Sequence, residues 1–335
     1  MRTATLLLIT SALIACGSSE KSDDDGTTDG TTDGTTDGTT DDSEPHIVDP
    51  PEGDYLDDSA IEELPELDGS ALTAAVNDAI ANAMYIHGGP AVFAYFEALE
   101  DSEGDCPTWG VDNGTPFWFD TCVTESGAAF EGYGYHYEYE AEYDDNVTWD
   151  GFAIYSVASI VTAAGDTFEG AGGASFLTGV NDDDLDVWYS YVQPGFAYDG
   201  AAADGTWLAE GLDPDTSWYA LRAPDGSGAA ATMSGSTMVS SGPVSALVFN
   251  ELLLIDEAWG SSCPIEPHGS LSVLDDEGNW IDVYFDGPEW EGPETPAELC
   301  DGCGSAWFRG TYLGEACFDF SPLSDWDAYP FADRD

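Results

Sequence analysis

From residue 133 the chain runs Tyr133-Gly134-Tyr135-His136-Tyr137-Glu138-Tyr139-Glu140, with a tyrosine at every second position. A period of two is the repeat of a β-strand, so these tyrosines share one face. The same period recurs from about residue 104 onward, over residues 152–160, 187–192, 246–255, 271–274, 280–285 and 306–312. Asn113-Gly114, Asp144-Asp145-Asn146 and Asp275-Asp276-Glu277-Gly278 supply turns between such stretches. An aromatic–acid–glycine triplet also repeats, at Phe130-Glu131-Gly132, Trp149-Asp150-Gly151, Phe168-Glu169-Gly170, Tyr198-Asp199-Gly200 and Phe285-Asp286-Gly287. The triplets read as equivalent points of an antiparallel meander, where glycine lets the chain bulge beside a packed aromatic. The fold class is mainly β (α+β): an antiparallel meander or a partly closed barrel with an N-terminal helical hairpin.

The hairpin falls in residues 57–103. Ser70 is a suitable N-cap, and Leu72, Ala75, Val76, Ala79, Ile80, Ala83 and Met84 recur at helical spacing. Gly88-Gly89 ends this helix, and Pro90 opens a second one that runs to Leu99. Tyr95 and Phe96 are packing residues of its apolar face. The helices and residues 104–335 form one domain.

Before the hairpin the chain has a different character. Arg2 precedes a short apolar stretch from Leu6 to Ile14, and Leu13-Ile14-Ala15-Cys16 follows. The stretch is shorter than the roughly 20 apolar residues a membrane-spanning helix needs. It resembles the lipobox of bacterial lipoproteins. That resemblance makes residues 1–15 a signal peptide and Cys16 the diacylated, palmitate-bearing first residue of the mature chain. Residues 16–56 hold four Asp-Gly-Thr-Thr units between Asp25 and Thr40. Nothing there can bury a core, and a flexible coil of this length spans about 35 Å.

Six further cysteines, Cys106, Cys122, Cys263, Cys300, Cys303 and Cys317, make an even count in an exported chain, which favours disulfides. Cys106 and Cys122 flank Asn113-Gly114 almost symmetrically, as a three-residue or bulged hairpin would require. Cys303 and Cys317 are centred on Gly310, and Cys263 is left for Cys300. A redox-active Cys300-Asp301-Gly302-Cys303 is disfavoured by its acidic neighbours, which raise a thiol pKa. A zinc site lacks a second Cys pair, and His268 is remote in sequence.

Charge removes whole classes of partner. Against 67 Asp+Glu stand 5 Lys+Arg, a net charge of −62, and past Cys16 the basic residues are Lys21, Arg222, Arg309 and Arg334. Nucleic acid and anionic lipid surfaces need basic patches, so neither is a partner. Such acidity fits high solubility, a saline habitat or divalent cations. Asp182, Asp183, Asp184 and Asp186 form the densest acidic loop and are Ca²⁺ candidates if the backbone curls around an ion. Glu138, Glu140 and Glu142 share a strand face with His136 at steps of roughly 7 Å, which overlaps the acid–base spacing of inverting glycosidases. With so many carboxylates a solvated face and a surface histidine are the expectation.

No nucleophile elbow, His-Glu-x-x-His helix or phosphate loop occurs, so no catalytic residues are assigned. Trp109, Phe117, Trp118, Trp149 and the tyrosines could stack on sugars; the interior of a two-layer structure is their expected place. The function expected is a non-enzymatic binding or interaction module with a protein or glycan ligand. A carbohydrate-binding or carbohydrate-active protein, or a carrier of a hydrophobic ligand, is the alternative.

The layout as a whole resembles a group of uncharacterised acidic lipoproteins of the myxobacterial type. The shared features are the lipobox at Cys16, the Asp/Gly/Thr linker, the helical segment leading into Cys106-Pro107, and Cys300-Asp301-Gly302-Cys303-Gly304 with a later Cys317. The resemblance implies attachment to the cell envelope, at the outer membrane, through the lipid. It brings no activity with it.

Overall fold

Residues 47–48, 71–83, 87–143, 147–193, 195–199, 207–209, 215–238, 243–259, 261–290, 295–296 and 299–331 are described by the structure, a computed structural model. Cys16, the Asp-Gly-Thr-Thr units and Ser70 lie outside them. Two helices, α1 (Ala71–Ala83) and α2 (Gly88–Leu99), precede the strands. The strands are β1 (Thr108–Asp112), β2 (Thr115–Val123), β3 (Ala129–Tyr143), β4 (Val147–Val161), β5 (Thr167–Asn181), β6 (Asp186–Val192), β7 (Phe196–Asp199) and β8 (Trp207–Ala209). They continue as β9 (Thr216–Arg222), β10 (Ala229–Met238), β11 (Val244–Ile255), β12 (His268–Asp275), β13 (Trp280–Asp286), β14 (Cys303–Phe308) and β15 (Thr311–Cys317).

All fifteen belong to one antiparallel sheet, in the order β1-β2-β3-β4-β5-β6-β9-β10-β11-β12-β13-β14-β15, with β7 on β5 and β8 on β7. Among the described residues no ladder joins β1 to β15, so of the two expected forms the chain builds the open meander. Two turns differ from expectation. Asn113-Gly114 is a two-residue loop with both φ positive (50° and 92°), the primed geometry that suits the strand twist. Residues 306–312 are not one strand: Arg309 and Gly310 (φ 47° and 81°) turn the chain between β14 and β15.

The triplets at Phe130, Phe168 and Tyr198 occupy one level of the sheet, whereas Trp149 stands at the other end of β4 against Ala141 and Gly179, and Phe285 pairs with Gly269 of β12. Phe130 on β3 and Phe168 on β5 both pair with Ile160 of β4, and Gly132 and Gly170 both pair with Ala158. Gly132 needs its φ of 113°, since a Cβ there would overlap the Val157 carbonyl.

This inner face is covered by α2, whose Ala91, Val92, Tyr95, Ala98 and Leu99 are buried with Phe130, Ile160 and Phe168. Trp118 of β2 is wholly buried and donates its Nε1–H to the Tyr95 hydroxyl at 2.9 Å. Gly88 was expected to end the first helix; instead it starts the second. His87 caps α2, its Nδ1 accepting from Gly89 N at 3.0 Å, and burial lowers its pKa to about 4, which keeps that nitrogen an acceptor.

The rest of the inner face is filled by Val76 and Ile80 of α1 and by a C-terminal segment carrying Phe318, Phe320, Leu323, Tyr329 and Phe331, packed with Trp188 and Trp218. Asp186 lies in this interior, 3.6 Å from Arg222, whose guanidinium also stacks 4.4 Å over the Phe331 ring. One of the few cations of the chain is thus spent inside the fold.

The three disulfides are Cys106–Cys122, Cys263–Cys300 and Cys303–Cys317. Cys303 and Cys317 are direct partners across β14 and β15.

Candidate binding face

Because successive side chains alternate, covering one face of the sheet leaves the other to water. On β2, β3 and β4 that outer face is aromatic. Phe117 stands opposite Tyr135, Phe119 opposite Tyr133, and Tyr155 opposite Tyr135 on the far side. Phe117 stacks on Tyr135 at 5.3 Å and on Phe119 at 5.7 Å, and Tyr133 meets Tyr155 at 6.4 Å. These rings are not buried: Phe119 is 47% exposed, Tyr133 38% and Tyr155 40%, with Val157 beside them at 41%. The tyrosines and Phe117 were expected in the interior. Alternation was read correctly, but the covered face is the one bearing Phe130, Gly134 and Ile154.

Beyond Tyr155 the face drops to Gly173 of β5, its cross-strand partner. On the far side stands a polar network. Gly173 N donates to Gln193 Oε1 at 2.6 Å, and Asp215 Oδ2 accepts from Gln193 Nε2 at 3.3 Å and from the Tyr191 hydroxyl. Burial first, then the Asp215 carboxylate, push the Tyr191 phenol far above its ordinary range, so it stays a donor.

Next to Asp215 the ladder opens. Register slips between Met233 and Gly235 on β10 and between Asn250 and Leu253 on β11. Gly235, Glu251 and Gly269 have φ of 125°, 48° and 113° on three adjacent strands. Glycine is required at 235, where a Cβ would collide with the Thr216 backbone, and at 269, where one would lie 2.6 Å from Glu251 O. The bulges leave a cavity of about 540 Å³ with Asp215, Ser234, Asn250, Glu251, His268 and Tyr284 among its walls. His268 Nδ1 donates to Gly287 O at 3.3 Å, and its Nε2 lies 3.9 Å from Glu289.

Comparison with protein-family models, curated proteins and solved structures finds nothing that matches this chain.

The acidic loop is dispersed. Asn181 Oδ1 accepts from Asp183 N at 3.1 Å and Leu185 N at 2.8 Å, so the curl is centred on a side-chain amide. Asp182, Asp183 and Asp184 point to solvent, whereas Asp186 faces Arg222. Among the described residues no group of three His, Cys, Asp or Glu side chains is placed to hold a metal ion. His136 is not a surface residue: it is half-buried between Phe96 and Trp109, its Nδ1 has no hydrogen-bond partner, and burial lowers its pKa. Glu138 on the same face is exposed; of Glu140 and Glu142 only the backbone is described. Trp149 lies against Tyr189 at 6.3 Å on the outer face.

Reasoning from the sequence missed Asp215, Asn250, Glu251 and the role of His268. A signal existed: Asn250-Glu251 interrupts an apolar run, and two adjacent polar residues in such a strand break its alternation, as a bulge does.

Near the cavity, buried Glu266 accepts from Asp301 N at 3.1 Å and Gly302 N at 3.3 Å. Burial, with a hydrogen bond to Asp286, nevertheless raises its pKa from 4.5 to about 8. The folded chain therefore keeps a proton that the unfolded chain releases. Stability from this group is complete below about pH 4.5 and is lost as pH rises to about 8. The urea midpoint is expected to fall over that window, and Glu266→Gln to flatten the fall; an unchanged slope in the variant would place the titration elsewhere.

Proposed function

We propose that this chain is a non-catalytic binding module of the cell envelope, tethered through a lipid on Cys16, that holds its partner on the aromatic outer face of β2–β4. The observation that carries this reading is the contiguous exposure of Phe119, Tyr133, Tyr155 and Val157 on one face of a sheet whose other face is covered. Apolar surface gathered in this way, rimmed by polar groups, marks interaction surfaces. The charge of −62 turns away polyanions, which leaves neutral or cationic envelope components. The lipoprotein layout supports a position at the outer membrane.

The test is co-sedimentation of the full mature chain, made lipid-free by Cys16→Ser, with isolated cell envelopes. Tyr133→Ser with Tyr155→Ser is expected to cut retention at least tenfold, with a melting temperature close to the parent's because both side chains are exposed. Equal retention of the double variant would show that this face is not the binding surface.

A further inference from the structure

We infer that the cavity between the β10 and β11 bulges binds one unit of a neutral glycan, an inference that rests on the outer face being the binding surface. The cavity is built into the ladder. Three adjacent strands depart from regular geometry at the same level, and one of the departing residues, Glu251, is not a glycine. Its volume of about 540 Å³ falls within the range of small-molecule sites and suits a mono- or disaccharide.

The lining selects among ligand classes. Asp215 and Glu251 are acceptors and the Asn250 carbonyl is a third, while Ser234 Oγ accepts from Glu251 N at 3.2 Å and Ser270 Oγ from Asn250 Nδ2 at 3.4 Å, which leaves both serine hydroxyls free to donate. The Glu251 carboxylate makes no hydrogen bond or ion pair among the described residues. An apolar ligand would strip water from these groups and return nothing. An anion would meet two carboxylates and the field of the whole chain. A cation satisfies Asp215 and Glu251 but leaves the hydroxyl protons of Ser234 and Ser270 without an acceptor, while Asn250 Nδ2 is already turned to Ser270 Oγ and Ser272 Oγ at 3.4 Å. A polyol answers both sets, its hydroxyls donating to the carboxylates and accepting from the serines.

Position supports the same ligand. Asp215 belongs both to the cavity wall and to the Tyr191–Gln193 network that borders Gly173, the partner of Tyr155. From β4 to β10 is four strand spacings, roughly 20 Å. A glycan with one unit in the cavity can therefore run along the sheet to the aromatic rings.

Saturation-transfer NMR on the full mature chain with Cys16→Ser tests this, with glucose, galactose, N-acetylglucosamine and cellobiose as neutral probes, glucuronic acid as the anion and spermidine as the cation. At least one neutral sugar is expected to bind with a millimolar Kd, and Asn250→Ala and Glu251→Gly each to weaken it at least fivefold. Glycine also relieves the positive φ at 251, so that variant is expected to melt no lower than the parent while binding sugar less well, which a merely structural role would not produce. Binding of spermidine alone, binding of no probe, or sugar binding unchanged in both variants overturns the assignment. If envelope retention still depends on Tyr133 and Tyr155 in that case, the aromatic face stands and the cavity assignment alone falls. Sugar binding lost in the cavity variants, together with Tyr-independent retention, would uphold the cavity and overturn the aromatic face.

Discussion

Gly88→Ala is expected to destabilise the protein by about 3 kcal/mol, a fall in Tm of about 6 °C for a body of this size. A Cβ at this position would overlap the carbonyl oxygens of Ser175 on β5 and Tyr191 on β6, and it would lie 2.9 Å from Ser175 N. All three obstacles are backbone atoms in a ladder, so no rotamer change relieves them. The only relief is to lift the start of α2 off the sheet. That movement breaks the bond from Gly88 N to Ser190 Oγ at 2.6 Å, which also ties α2 to β5 through Ser190 Oγ and Ser175 O. It would also loosen the burial of Tyr95 and Trp118, both fully enclosed beneath the helix. Gly173→Ala is the matched control, because a Cβ there meets nothing closer than 3.5 Å. Thermal melts in which both variants match the parent would mean that α2 docks without the close approach at Gly88.

That approach also explains which strands were readable. Residues 152–160, 187–192, 246–255 and 280–285 carry branched or aromatic side chains in alternation and became β4, β6, β11 and β13. β5 and β10 gave no such signal. β5 contains Gly170, Gly172, Gly173 and Ala174, and much of its inner face is small because α2 presses on it. β10 opens with Ala229, Ala230 and Ala231, each almost fully buried, in the sheet region that also houses Trp188 and Trp218. Tertiary packing overrode local propensity in both.

The candidate site was half legible for a related reason. Alternation tells which side chains share a face but not which face is covered. Gly134 decides it: a Cβ there would stand 2.5 Å from the Tyr95 hydroxyl and 2.9 Å from Trp118 Nε1. The glycines between the tyrosines thus make room for the helix, and the tyrosines are left facing water. The bulges depend on non-local register, so only the paired polar residues Asn250-Glu251 hinted at them.

The second large effect is expected from Cys263→Ser combined with Cys300→Ser. This bond joins residues 37 apart in sequence, against 14 for Cys303–Cys317 and 16 for Cys106–Cys122. In the chain-entropy picture its loss costs about 4 kcal/mol and that of either shorter loop about 3. The context widens the gap. Cys303 and Cys317 are already held in register by the β14–β15 ladder, so part of their constraint is redundant. Cys300 instead anchors the approach to Asp301 and Gly302, whose amides meet the buried Glu266 carboxyl. Freeing that approach leaves Glu266 without the two donors that oppose its rise in pKa. The double serine variant should therefore lose more stability at pH 8 than at pH 5, a difference that loop entropy alone does not produce. Urea unfolding of the three double-serine variants at both pH values measures it. If Cys303→Ser with Cys317→Ser proves the more costly pair, loop length does not rank these bonds; if the pH difference is absent, the Cys263–Cys300 bond acts through the unfolded chain alone and Glu266 is not coupled to it.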